Sequence, residues 1–148
     1  MSAITVTFEV VGTPKPQGSK KAFSANGKAM LKEAGGLDHA AWRNAVSDKA
    51  ITVTDEVGTF NGPLRVDIEY RFAMPKSRPK WAHTIGKTWK TTAPDVDKLD
   101  RAVFDAMQAA HLIGNDAQVC DGRRRKVEVT GWTGATITIT AIEQADCT

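Results

Sequence analysis

The sequence predicts a single α+β domain with a mixed or antiparallel β-sheet and two main helices. The length of 148 residues suits one ordinary domain. Residues 64–73 alternate as a strand with one wet face, and residues 97–111 repeat as an amphipathic helix. Hydrophobic residues make up 41% of the chain, which excludes a disordered tail. We therefore treat residues 1–148 as one domain.

The N-terminal part of the chain is predicted to hold one strand and one helix. Apolar and polar residues alternate over 4–10, which indicates a half-buried strand. Prolines and a glycine make 14–21 a basic loop, and Asn-Gly and Gly-Gly dipeptides indicate that 22–36 is also a loop. A polar capping residue and an apolar stripe that includes a tryptophan predict a helix over 38–51, with a connection over 52–62.

Residues 64–73 form the clearest predicted strand. Every second residue is apolar and the residues between them are charged, so one face is expected to be buried and the other solvated. Asp67 and Glu69 fall on the solvated face, and we interpret them as surface residues rather than metal ligands.

Residues 74–94 are predicted to form a long irregular basic loop. This segment has three prolines, five basic residues and no acidic residue. Loops of this length are usually functional or disordered. Its tryptophans, Trp81 and Trp89, could stack on exposed nucleobases or could anchor the loop to the core, and the sequence leaves both interpretations open.

Residues 97–111 form the clearest predicted helix, because apolar residues recur at the spacing of one helix face. Asp100 and Asp105 fall on its polar face, and we interpret them as exposed. Two final strands are predicted at 127–129 and 137–141, and the glycines between them suggest a hairpin.

Positive charge is unevenly distributed although the net charge is only +3. The stretches 15–32, 74–94 and 123–126 hold 14 of the 20 lysine and arginine residues and no acidic residue. Such blocks suit a polyanionic partner such as DNA, although solvated loops are the plainer alternative. The candidate DNA-binding residues are Lys15, Lys20, Lys21, Lys76, Arg78, Lys80, Lys87, Lys90 and Lys126.

Other features of the sequence bear on the compartment. No stretch approaches the roughly 18 consecutive apolar residues that span a membrane, and the N-terminus lacks the build of a signal peptide. Cys120 and Cys147 are not at metal-ligand spacing and are expected to be free thiols. We therefore expect a cytoplasmic protein that does not associate with membranes.

Two carboxylates at the start of the clearest helix are candidate metal ligands. Asp95 and Asp97 follow Pro94, and Asp97 is the natural N-cap. In an extended approach to the helix, alternate residues project to the same side, so the two carboxylates could share a hard cation such as Mg²⁺. The free N–H groups of the helix N-terminus also favour phosphate.

Asp116 and Arg101 are further candidates. Asp116 follows the far end of a helix that would be roughly 22 Å long, so it reaches Asp97 only if the chain turns back or if a second subunit supplies it. Arg101 lies one turn after Asp97, where it forms either a simple ion pair on the helix surface or a cation that offsets transition-state charge on a phosphate.

These residues resemble the signature of the RusA-type crossover-junction endodeoxyribonucleases, a family of homodimeric, magnesium-dependent Holliday junction resolvases often encoded by phages and prophages. The resemblance is closest over residues 94–126. It is carried by Pro94-Asp95-Val96-Asp97-Lys98-Leu99, Arg101, Phe104-Asp105-Ala106 and Asn115-Asp116-Ala117-Gln118-Val119.

The resemblance implies that Asp95, Asp97 and Asp116 are catalytic ligands of Mg²⁺, with Mn²⁺ as a substitute, and that Lys126 matches a basic residue that commonly follows the third carboxylate. It also implies a homodimer of bacterial, phage or prophage origin that cuts four-way junctions and other branched DNA in recombination and repair.

The sequence departs from the family pattern at three positions. Lys98 stands where the family often has Asn, Arg101 stands where it has a catalytic Lys, and Asn115 replaces the first residue of an acidic pair. The change from Lys to Arg keeps the charge but alters its shape and hydrogen bonding.

Three functions fit these features: a structure-selective nuclease, a non-catalytic branched-DNA-binding protein that uses the same basic loops, and a metal-dependent hydrolase of a small phosphorylated substrate. The acid-free basic segments argue against the third, because a small ligand does not need so much positive surface. The clustered carboxylates argue against the second, because negative charge weakens phosphate binding unless a metal neutralises it.

Overall fold

The computed structural model describes residues 4–17, 20–25, 28–33 and 36–147, and the side chains of 4–17 and 38–147. The predicted α+β class with a mixed sheet is confirmed, and a short third helix accompanies the two main ones. In chain order, the elements are β1 (Thr5–Val11), β2 (Lys20–Ala25), β3 (Lys28–Glu33), α1 (Gly36–Val57), β4 (Leu64–Ala73), α2 (Lys80–Ile85), β5 (Lys87–Trp89), α3 (Val96–Ala109), β6 (Val119–Asp121), β7 (Arg124–Val129) and β8 (Gly134–Ala141). Two 3-10 turns lie at Asp116–Gln118 and Gln144–Asp146.

The main sheet is built around β4. Its strand order is β1-β8-β4-β7-β5, with β6 also paired to β4. The pairs of β8 with β1 and with β4 are antiparallel, whereas β6 and β7 run parallel to β4. The predicted hairpin of the last two strands is therefore wrong. β7 and β8 bind opposite edges of β4, because pairing with this central strand satisfies the backbone groups on both of its edges.

Several segments predicted as loops contain regular structure. β2 and β3 form a separate antiparallel pair, so the loop predicted over 22–36 is wrong. The Asn-Gly dipeptide that lies between these strands in sequence is typical of a hairpin turn as well as of an irregular loop. The loop predicted over 74–94 contains α2 and β5.

The helix α1 extends beyond its predicted end at residue 51, through most of the expected connection. Val53 continues the buried stripe of Trp42, Val46 and Ala50, and this packing keeps the last turns helical. The predicted core position of Trp42 is confirmed, since only 2% of its surface is exposed.

The core lies between the main sheet and the two long helices. The strand β4 buries alternate side chains from Leu64 to Phe72, as its pattern predicts. Leu99, Val103 and Met107 of α3 lie in the same cluster of buried side chains. Burying each large apolar side chain stabilises the fold by about 1.5–3 kcal/mol. The burial of these three side chains therefore determines which face of α3 packs against the sheet.

Gly122 marks the close approach of the chain to β4 just before β7. It adopts φ +135°, and a Cβ there would lie 1.8 Å from the carbonyl oxygen of Val66. Only glycine fits this position without moving the backbone. The approach lets the N–H of Ile68 donate to the carbonyl of Arg123 and starts the parallel pairing that carries β7.

Candidate active site

Asp95 and Asp97 both lie at the N-terminal end of α3. The N-cap is Asp95, with φ −72° and ψ 145°, so the prediction of Asp97 as the cap is wrong by two residues. The Asp95 carboxylate makes no capping hydrogen bond, is 66% exposed and lies 3.9 Å from the Nζ of Lys98. Asp97 is exposed in the first helical turn. The two carboxylates therefore share a helix N-terminus rather than an extended approach.

The segment that leads into α3 is held by lysines. The Nζ of Lys126 donates to the carbonyl oxygens of Thr92 and Pro94, both at 2.7 Å. The Nζ of Lys90 donates to the Thr92 hydroxyl at 3.0 Å, and the backbone N–H of Lys90 donates to the carbonyl of Lys126 at 2.9 Å. These bonds fix the backbone immediately before Asp95.

Asp100 is not the exposed residue that its helical position predicted. Only 16% of its side chain is exposed, and it accepts hydrogen bonds from the Tyr70 hydroxyl at 2.6 Å and from the Arg124 Nε at 2.8 Å. The Arg124 guanidinium also donates to the carbonyl of Val66. Burial, together with the charge and hydrogen bond of Asp100, raises the pKa of Tyr70 well above its ordinary value. This network ties α3 to β4 and β7.

Asp116 is exposed on a tightly bonded turn at the other end of α3. The Asn115 side chain accepts from the Ala117 N–H at 2.8 Å, and the Gln118 side chain accepts from the Asn115 N–H at 2.8 Å. Gln118 also donates to the carbonyl of Gly62 at 2.9 Å. The Asp116 N–H donates to the Gln108 side chain at 3.1 Å. The Asn-Asp-Ala-Gln motif thus presents one carboxylate from a rigid turn.

One chain brings Asp95 and Asp97 together but leaves Asp116 apart. The helix α3 has 14 residues and is therefore about 21 Å long, and Asp116 is bonded to its last turn. Among the described residues, no three His, Cys, Asp or Glu side chains form a group able to hold a metal ion. Arg101 is exposed one turn after Asp97, and no described side chain forms an ion pair with it.

A family model, described as endodeoxyribonuclease RusA, matches residues 11–140 of the 148-residue chain. The chain belongs to the RusA endodeoxyribonuclease family. The match includes both carboxylates at the start of α3, Asp116, and the lysines that hold the segment before Asp95. No individual curated protein matches the chain significantly. RusA membership makes this protein an endonuclease of a family that acts on branched DNA.

The sequence-based predictions for this member of the RusA family did not include the acidic partners of its basic side chains. Glu69 is not a free surface residue: its side chain is only 17% exposed and accepts from Arg71 at 3.0 Å and from Lys87 at 2.9 Å. Burial alone would raise the pKa of Glu69, but the hydrogen bonds from Lys87 and Arg71, together with the positive charges of Lys87 and Arg125, lower it below its ordinary value. Arg78 Nε lies 3.1 Å from Glu128, an ion pair without the alignment of a hydrogen bond. Charge alternation along β4 indicated which face Glu69 occupies but not that cations cover it.

The candidate DNA-binding residues fall into distinct environments. Lys76 and Lys80 are exposed, and Lys15 is half-buried in the segment that touches α3 through the bond from the Gln17 N–H to the Lys98 carbonyl. The side chains of Lys20 and Lys21 lie outside the described residues. Internal contacts are made by the side chains of the remaining four candidates, Arg78, Lys87, Lys90 and Lys126. Their binding to DNA stays a prediction.

No helix within the described ranges combines the length and apolar character that crossing a membrane requires.

Proposed function

We propose that this protein is a magnesium-dependent Holliday junction resolvase that acts as a homodimer in DNA recombination and repair. The proposal includes a cytoplasmic location and a bacterial, phage or prophage gene. The observation that carries the proposal is the pair of exposed carboxylates, Asp95 and Asp97, at the start of α3 in a RusA-family chain. Its substrate would be four-way or other branched DNA.

The donor set fits a hard divalent cation. Magnesium is usually bound by one or two carboxylates together with waters and substrate phosphates. Asp95 and Asp97 are exposed carboxylates whose oxygens no internal hydrogen bond occupies among the described residues. They would hold Mg²⁺, with Mn²⁺ as a substitute, and the bound metal would activate water and offset charge on the phosphate.

The other groups around this pair would bind and orient the scissile phosphate. The free N–H groups at the start of α3 favour an anionic oxygen. Arg101 is permanently protonated, so it cannot act as a base, and it would donate to phosphate oxygens as negative charge develops on them. Lys126 and Lys90 would keep the segment that ends at Asp95 in place.

A homodimer would complete the metal site. Asp116 is separated from Asp95 by the length of α3. If α3 packs antiparallel to α3 of a second subunit about a twofold axis, the partner's Asp116 lies beside Asp95 and Asp97. Because a twofold contact is reciprocal, two such sites form, and two sites match the two symmetric cuts that resolve a junction.

The test uses a synthetic four-way junction and a linear duplex of the same sequence, each with and without Mg²⁺. Symmetric nicks in the junction alone, only with the metal, are expected. Asp97→Asn is expected to abolish cleavage while junction binding persists. Asp55→Asn, which removes an exposed carboxylate of α1, is the matched control and should cut normally.

The competing function is a branched-DNA-binding protein without catalysis. Binding of the junction with no cleavage in either Mg²⁺ or Mn²⁺ would establish that function and reject the resolvase.

A further inference from the structure

Trp81 and Trp89 form an exposed aromatic pair. Trp81 on α2 is 58% exposed and Trp89 on β5 is 62% exposed, so neither anchors its segment to the core. Both line one open groove of about 450 Å³. Exposing two indole rings to water is unfavourable, which indicates a surface that a ligand covers.

Cations line the same groove. It includes Arg78, Lys87 and Arg125, and the guanidinium of Arg125 lies 4.8 Å from the centre of the Trp89 ring. The side chains of these cations are 34–48% exposed. The acids that pair with them lie deeper, since Glu69 is 17% exposed and Glu128 is 9% exposed. The groove, here called the tryptophan groove, therefore presents aromatic rings and positive charge outward.

We propose that the tryptophan groove binds one or two unstacked nucleotides of a DNA strand. An indole ring can stack only on a base that has left the double helix, and cations beside the ring suit the adjoining phosphates. The inference rests on the proposed function, because branch points and strand ends are where a junction-cutting enzyme meets unpaired bases.

The position of the tryptophan groove relative to the candidate active site is consistent with this ligand. Trp89 on the edge strand β5 and Arg125 on the neighbouring β7 lie on the sheet face opposite α3. Only residues 90–94 separate Trp89 from Asp95. That stretch of chain can span at most about 22 Å. A strand held in the groove could therefore cross the sheet edge and continue to the carboxylates.

The charges disfavour a second copy of the chain as the occupant. A twofold contact centred on the groove would place Arg78, Lys87 and Arg125 against the same three cations of the other copy, and such like-charge contacts are unfavourable. DNA meets the same cations with opposite charge.

The test measures binding of an oligothymidylate and of an abasic deoxyribose-phosphate oligomer of equal length, in metal-free buffer. Trp81→Ala and Trp89→Ala are each expected to weaken oligothymidylate binding by about 5- to 150-fold and to leave binding of the abasic oligomer unchanged. Trp89→Phe retains an aromatic face and should keep most of the affinity. Ile85→Ala is the matched control, since Ile85 is a 65% exposed apolar residue of α2 that does not line the groove.

Unchanged oligothymidylate binding in both alanine variants, or an equal loss for both oligomers, would overturn the inference. So would conversion of a wild-type dimer to monomers by these variants in sedimentation, because the groove would then be a subunit interface. If the wild type cuts junctions but binds oligothymidylate independently of the tryptophans, only this inference fails. If tryptophan-dependent binding is present and no junction is cut, only the proposed nuclease function fails.

Discussion

The ammonium group of Lys126 on β7 lies 2.7 Å from the carbonyl oxygen of Pro94, the residue directly before Asp95. The same group donates to the carbonyl of Thr92, so two of its three protons are used to hold the segment that enters α3. The sequence predicts Lys126 as a DNA-binding residue, whereas its contacts support a role in positioning Asp95, the proposed metal ligand.

Lys126→Met is therefore expected to raise the Mg²⁺ concentration needed for half-maximal junction cleavage by about 10- to 100-fold, the usual effect of losing a group that orients a metal ligand. Metal-free junction binding, measured by gel shift, should change little. Arg123→Ala, which removes an exposed cation from the same basic run, should instead weaken binding and leave the magnesium requirement unchanged. A Lys126→Met protein that binds DNA poorly but needs no more Mg²⁺ would assign Lys126 to the DNA surface.

The separation of Asp116 from the other carboxylates leads to a complementation test. Asp97→Asn and Asp116→Asn are each expected to be inactive as pure proteins. If the sites are shared between subunits, a mixed dimer has one site carrying both substitutions and one intact site. Mixing the two variants should then restore nicking of one junction strand. The measurement is the yield of singly cut junctions. Exchange of labelled subunits between the two variants is the control. If subunits exchange and the mixture stays inactive, all three carboxylates of a site belong to one chain.

The ion pair of Asp100 with Arg124 should contribute strongly to stability. Each side chain is only 16% exposed, so Asp100→Asn leaves a largely buried guanidinium without its counter-charge. We expect a loss of roughly 2–4 kcal/mol in the free energy of unfolding, measured with urea, after allowing for the remaining exposure. Asp100→Asn combined with Arg124→Met should be more stable than Asp100→Asn alone, because no charge is left unpaired. Equal stability of the single and double variants would show that the pair is not coupled.

Tyr70 should make the protein sensitive to alkali. Its folded pKa is raised above the ordinary value of 10.0, first by burial and then by Asp100. The unfolded chain therefore releases this proton at lower pH than the folded chain. The stabilising contribution is complete below about pH 10 and is lost as the pH rises toward the folded pKa.

The titration can be followed directly, because Tyr70 is the single tyrosine of the chain. Tyrosinate absorbance should rise together with unfolding and not before it, and Tyr70→Phe should flatten the alkaline decline in stability. Its neutral-pH stability should fall by about 1–2 kcal/mol, since Asp100 loses one hydrogen bond. Ionisation of Tyr70 near pH 10 in a protein that is still folded would contradict the predicted coupling.

The sequence by itself determined the features that depend on neighbouring residues. Alternation identified β4, helical spacing identified α3, and the motif beginning at Pro94 placed two carboxylates at the start of that helix and indicated the family. The tertiary structure alone decided the features that depend on distant residues. It placed β7 and β8 on opposite edges of β4, paired Asp100 with Arg124, and left Trp81 and Trp89 exposed. The physical reason is that local periodicity reports which face a residue occupies, whereas strand partners, counter-charges and burial depend on segments far apart in the chain.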